Sequence, residues 1–185
     1  MKVKYTFYIV GVGGTGSLFA RDLPQLLIGT NHQMVLIDGD IVAKKNVARQ
    51  SYQLQDVGLN KAIALAKKIN SFYDIQCEAI DKYITLNELT ERIKRDSSVP
   101  VIVGCVDNDA TRKLLEETFK KQKAAVYIDS ANSAYSGNVF VTVKSNKDIH
   151  GKLRSEVYDL KNDKKPTDKS CQEYVSEGNL QYMVT

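Results

Sequence analysis

The 185-residue chain has no tryptophan, three prolines, three cysteines and two histidines. Cys77, Cys105 and Cys171 are odd in number, far apart and without a CxxC pair. That argues against a disulfide framework and against a cysteine-rich zinc site, so zinc is not expected within this chain. His32 and His150 stand alone and read as surface residues. No apolar run approaches the ~20 residues of a membrane span. The stretch after Met1, "KVKYTFYIV", is too short and too tyrosine-rich for a signal peptide. A cytoplasmic protein with no membrane contact is expected. The net charge of +4 is mild and dispersed and gives no ground for expecting nucleic acid. At 43% hydrophobic and 26% charged, the composition is that of a soluble domain with a sizeable core.

What is present is an alternation of strand and helix patterns. "VKYTFYIVGV", "QMVLID", "DIQCEAI", "VPVIVGCV", "AAVYIDSA" and "NVFVTV" read as strands, rich in β-branched residues or continuously apolar. Between them, "TGSLFARDLPQLL", "LNKAIALAKKIN", "LNELTERIKR" and "NDATRKLLEETFKKQ" carry apolar residues at helical spacing. Pro24 should kink or shorten the first of these helices. This order predicts an α/β, Rossmann-like domain with a mostly parallel central sheet over residues 1–143. After Val143 the chain turns polar and lysine-rich, so residues 144–185 are expected to form a long loop leading to the start of a further segment. The ending "GNLQYMVT" reads as the start of another helix, and the chain as truncated.

Four glycines, Gly11, Gly13, Gly14 and Gly16, fall in six positions between the first strand and the first helix. Such a turn offers free backbone N–H groups and a helix dipole to an anion, and its glycines let a phosphate approach the backbone. Asp38 ends the second strand 22 residues after Gly16, the usual offset for a carboxylate that holds a ribose. The pattern points to a nucleotide. It does not by itself separate NAD from ATP.

The segment after the second strand, "IDGDIVAKKNVARQ", resembles the D-x-D-x-V-x-x-x-N-x-x-R-Q pattern of the ThiF/MoeB/ubiquitin-activating enzyme family. "GVGGTGS", "DVGLNKA" and "CVDNDATR" resemble further motifs of that family in the same order, covering roughly residues 5–142. Agreement in "GGTGS", "DGD" and "GLNKA" is nearest to bacterial PRTRC-type ThiF-like proteins. The resemblance implies an ATP- and Mg²⁺-dependent adenylyltransferase. Its substrate would be the C-terminal glycine carboxylate of a small ubiquitin-like or sulfur-carrier protein. A homodimer or a pseudo-symmetric heterodimer is also implied.

Carried onto this sequence, the resemblance assigns Asp38 to the ribose, Asp40 to the phosphate region, and Asn46, Arg49 and Gln50 to the nucleotide. Arg49 would grip the β- and γ-phosphates with its planar fork. Lys61 would neutralise the α-phosphate, Asp107 would hold Mg²⁺, and Asn108 would orient that carboxylate or the adenosine while capping a helix. Plain alternatives accompany several of these: a loop-start hydrogen bond for Asp40, a solvated helix-start lysine for Lys61, a structural role for Arg112. Cys171, in a polar and basic setting, is the candidate to receive the acyl group; Cys77 and Cys105 are expected to pack within strands. Many family members carry an arginine on a helix before the first strand; here either a partner supplies an equivalent or activity is lower. Two competing readings remain. One is an NAD-linked oxidoreductase, for which no His or Tyr–Lys constellation stands out. The other is a non-catalytic module that binds a nucleotide or a partner.

Overall fold

A computed structural model describes residues 3–132 and 136–161 of the chain. Five strands run parallel: β1 (Tyr5–Val10), β2 (Gln33–Ile37), β3 (Gln76–Ile80), β4 (Val99–Gly104) and β5 (Ala124–Asn132). Two antiparallel strands, β6 (Gly137–Ser145) and β7 (Asp148–His150), complete a sheet of order β3-β2-β1-β4-β5-β6-β7. This is the mostly parallel α/β architecture that the alternation of patterns implied.

Alternate residues of each parallel strand face opposite layers, as the twofold period of a strand requires. Ile9, Met34, Leu36, Val101 and Val103 pack beneath helices α1 (Gly14–Asp22), α2 (Pro24–Leu27) and α3 (Lys61–Phe72). Tyr8, Val10, Val35, Ile37, Ile102 and Tyr127 pack beneath α4 (Leu86–Arg95) and α5 (Asp109–Lys121). Both faces of the central strands are covered, which is why their sequences are continuously apolar. Pro24 takes the first position of α2 and separates it from α1, where its missing N–H costs nothing.

Within residues 144–161, expected to begin a polar loop, a short part extends the sheet before the chain turns irregular. β6 runs to Ser145, β7 adds an edge, and Leu153 and Arg154 are buried. The composition hides this because all three residues of β7 are exposed, and little besides Leu153 and Arg154 is buried in that stretch. Arg154 and Arg112 both pair with the fully buried Asp129, and Arg154 lies over the Phe140 ring at 4.8 Å. Arg112, whose guanidinium also donates to the Val106 and Ser130 carbonyls, is thereby a structural residue. Cys171 lies outside the described residues.

The chain moves outward in one direction from β1 to β2 and β3, and in the other from β4 to β5. The strand order therefore reverses between β1 and β4, and open α/β sheets bind ligands in the crevice at the carboxyl ends of the strands at such a point. The glycine loop leaves β1 there, and Asp107 and Asn108 follow β4 there. The two strand ends are joined by the Cys105 N–H, which donates to the Val10 carbonyl at 2.9 Å.

Candidate nucleotide site

The four loop glycines divide into two pairs with different physical reasons. Gly11 has φ +83°, and a Cβ on it would lie 2.7 Å from the Cys105 carbonyl oxygen. A Cβ on Gly16 would lie 1.9 Å from the Gly11 carbonyl oxygen, so these two let the helix pack onto the strand end. Gly13 and Gly14 are free of backbone crowding. Their open side faces the ends of Gln50 and Arg49, at 4.0 and 3.1 Å from ideal Cβ positions. Helix α1 begins at Gly14 with no side-chain cap and no acidic residue in its first turn. Its uncapped N–H groups and positive dipole end are available to an anion.

The loop holding Arg49 and Gln50 is tied down from below. Asn46, which is buried, accepts the Ala43 N–H at 2.8 Å, so its carbonyl oxygen shapes the loop. Ser17 of α1 accepts the Ser51 N–H at 3.1 Å, fixing this loop to the glycine turn. Above that frame, the Nε of Arg49 and the Oε1 of Gln50 are buried without a hydrogen-bond partner. Buried polar atoms are paired in the great majority of cases. Ser51 Oγ is unpartnered too, so three successive residues of this loop keep an unpaired buried polar atom, while Arg49 Nη1 and Gln50 Nε2 reach toward Gly14 and Gly13 at the uncapped helix start.

Across the turn, Asp38 accepts the Val12 N–H with one oxygen and the Asp40 N–H with the other, both at 2.8 Å. The carboxylate thus links the glycine loop to the end of β2. Burial pushes its pKa up, against the pull of Lys61 and the two amides. Asn60 caps α3 by accepting the Ile63 N–H at 3.1 Å and donates its amide to the carbonyls of Asp38 and Asp40. This clamps the Asp38–Asp40 turn to the helix that carries Lys61.

Lys61 is not a solvated helix-start lysine. It is buried, and its Nζ lies 2.6 Å from Asp40 Oδ2. Burial alone would raise the Asp40 carboxyl; its bonds to Lys61 and to the Tyr83 hydroxyl outweigh that and hold it below its ordinary value. Tyr52, also buried, donates its hydroxyl to the Val12 carbonyl at 2.7 Å and supports the loop from the core. Nothing in the spacing marks Tyr52 or Tyr83; Asn60 carries a helix-cap signal.

Asn108 caps α5 by accepting the Thr111 N–H at 2.9 Å. Asp107 is exposed at the end of β4. Among the described residues no group of three or more His, Cys, Asp or Glu side chains could hold a metal ion. His32 is not a plain surface residue: its Nδ1 accepts the Tyr5 N–H at 3.2 Å, at the start of β1. Cys77 lies buried in edge strand β3, and Cys105 just beyond β4. Burial pushes their thiols up to about 12 and about 11.

The match to the ThiF family model runs over residues 3–185. The chain belongs to the ThiF family. Among curated relatives, ubiquitin-like modifier-activating enzyme 5 of Branchiostoma floridae is 31% identical over 149 residues, covering 74% of this chain and 36% of the relative. The Xenopus laevis protein of the same name is 30% identical over 147 residues, covering 73% and 36%. The chain therefore spans about a third of the length of these relatives. Similar solved structures include PaaA, with a TM-score of 0.60 at 22% identity over 91% of this chain and 49% of that one. Another is E. coli tRNA N6-threonylcarbamoyladenosine dehydratase, TcdA, in complex with ATP, with a TM-score of 0.60 at 22% identity over 73% of this chain and 54% of that one. At that identity these two share the fold. No helix among the described residues is long and apolar enough to cross a membrane.

Proposed function

We propose that this ThiF-family chain adenylates a carboxylate: it binds ATP with Mg²⁺ and activates the C-terminal glycine of a small ubiquitin-like or sulfur-carrier protein in the cytoplasm. The observation that carries this reading is the approach of Arg49 Nη1 and Gln50 Nε2 to the open sides of Gly14 and Gly13, in a loop where Arg49 Nε and Gln50 Oε1 are buried and unpartnered. A triphosphate satisfies the guanidinium and the uncapped α1 N–H groups together. The family relatives named ubiquitin-like modifier-activating enzyme 5 support the choice of substrate class.

A carboxylate and a triphosphate repel one another, so the work of the site is positioning and charge compensation. Asp38, already fixed by two amides, accepts the ribose hydroxyls. Arg49 takes the outer phosphates with its fork. The glycine carboxylate oxygen forms a bond to the α-phosphorus as the bond to the bridging oxygen breaks, and pyrophosphate departs with its charge. Lys61 supplies a positive charge that transfers from Asp40 to the α-phosphate as charge builds there; in a site of low dielectric such a charge counts for more than in water. Asp107 fits a Mg²⁺ carried in on the phosphates, since Mg²⁺ commonly uses one or two protein carboxylates and completes its shell with phosphate and water. The ion would neutralise the leaving pyrophosphate.

With both described thiols raised far above neutrality, a thioester acceptor on this chain would be Cys171. A homodimer is the expected assembly. The test is ATP–pyrophosphate exchange by the full chain with small carrier proteins ending in Gly-Gly. Exchange that requires both Mg²⁺ and a free carrier C-terminus is the expected result. Absence of exchange with every such carrier, while ATP binds, would replace this reading with that of a nucleotide-binding module.

A further inference from the structure

We infer that Tyr83, on the loop after β3, is a positioning residue for Lys61, acting through Asp40; its role in catalysis rests on the adenylation reading above. The Tyr83 ring lies directly on Gly39. A Cβ at Gly39 would come within 2.7 to 2.9 Å of three of its ring carbons. The side chain is 60% exposed, so burial does not hold it in place. It rests on Gly39 and donates its hydroxyl to Asp40 Oδ1. The other carboxylate oxygen, Oδ2, receives Lys61 Nζ at 2.6 Å. The two oxygens of Asp40 are thus divided between a hydroxyl and an ammonium, and the carboxylate cannot rotate without breaking one of the two bonds.

This division has a chemical use. Lys61 must be correctly aimed before nucleotide arrives, and its bond to Asp40 Oδ2 holds it there. As the ammonium turns to the α-phosphate, Asp40 keeps a donor on Oδ1 and does not swing after it. Glycine at position 39 is then explained by the ring that covers it, and any larger residue displaces Tyr83. The groups that face Asp40 are Lys61 of α3, Tyr83 of the loop after β3, Asp38 at the end of β2, and Tyr52 from the loop before α3.

The experiment uses the full chain without nucleotide and measures acetylation of Lys61 by acetic anhydride, read by peptide mass spectrometry. Tyr83→Phe keeps the ring on Gly39 and removes the hydroxyl; Gly39→Ala displaces the ring by its backbone side. Both are expected to raise Lys61 labelling roughly tenfold, the scale of one hydrogen bond to a charged group. Tyr83→Phe should add nothing in an Asp40→Asn background, because the effect passes through Asp40. In pyrophosphate exchange, Tyr83→Phe should lower kcat by a similar factor and leave KM for ATP within about twofold. Wild-type labelling rates in both Tyr83→Phe and Gly39→Ala overturn the proposal. Raised labelling with no exchange by the wild type upholds the positioning role and rejects adenylation instead.

Discussion

The Lys61–Asp40 pair is asymmetric, and its two truncations should differ accordingly. The Lys61 side chain is 9% exposed and the Asp40 side chain 47%. Asp40→Ala leaves a buried ammonium without its bonded partner, with only the more distant charge of Asp38 beside it. Losing one partner of a buried pair costs about 3–5 kcal/mol, and the partial exposure of Asp40 places this case near about 3 kcal/mol. Lys61→Met keeps the buried apolar stem and leaves a half-exposed carboxylate still bonded to Tyr83, a loss of about 0–1 kcal/mol. For a chain of this size each kcal/mol moves Tm by roughly 2–4 °C. Asp40→Ala should therefore melt roughly 6–12 °C below wild type, and Lys61→Met within roughly 4 °C. Thermal and urea unfolding without nucleotide measure both. Adding ATP with Mg²⁺ should stabilise Asp40→Ala more than wild type, because phosphate becomes the missing counter-charge. A Lys61→Met protein as unstable as Asp40→Ala would show that the burial argument is wrong.

Three further outcomes are expected. Asp38→Asn turns one of the two accepting oxygens into a donor facing a backbone N–H, so the turn loses one bond and ATP affinity by calorimetry should fall about tenfold or more, the scale of one charge-assisted hydrogen bond, with circular dichroism unchanged. Asp129→Asn strands the Arg112 and Arg154 guanidiniums in the core and should cost about 3–5 kcal/mol in urea unfolding; a loss under about 1 kcal/mol would contradict that network. The Asp40 carboxyl is held below its ordinary value when folded, so the unfolded chain takes up its proton first as pH falls. The stability gap between wild type and Asp40→Ala should accordingly be full above about pH 5 and shrink below about pH 4; a gap that widens on acidification would reverse the sign of the argument.

The helices and parallel strands were legible because each is long and strongly patterned. α4 matches "LNELTERIKR" residue for residue, with Leu89 and Ile93 in the core as the spacing demands. β7 was not legible, since an exposed edge strand of three residues has no pattern to read. In the site, local motifs nominated the glycines, Asp38, Asp40, Arg49, Gln50 and Lys61, and the structure gathers them around one turn. Their environments were hidden. For Lys61 a solvated helix-start lysine stayed open beside the phosphate role, because its partner Asp40 lies 21 positions away in the chain. Tyr83, 43 positions from Asp40, carries no signal at all until the fold brings β2 and β3 side by side. Arg112 had the same difficulty: only the pairing of β4 with β5 reveals Asp129 beneath it.

The central claim is that the glycine turn and the Arg49–Gln50 loop are built for a triphosphate and not for a dinucleotide. The direct measurement is calorimetric titration of the full chain with ATP·Mg²⁺ and, separately, with NAD. The account predicts saturable binding of ATP·Mg²⁺ that is lost or strongly weakened in Arg49→Ala, and no binding of NAD at the same concentrations. Tight binding of NAD with none of ATP would contradict it.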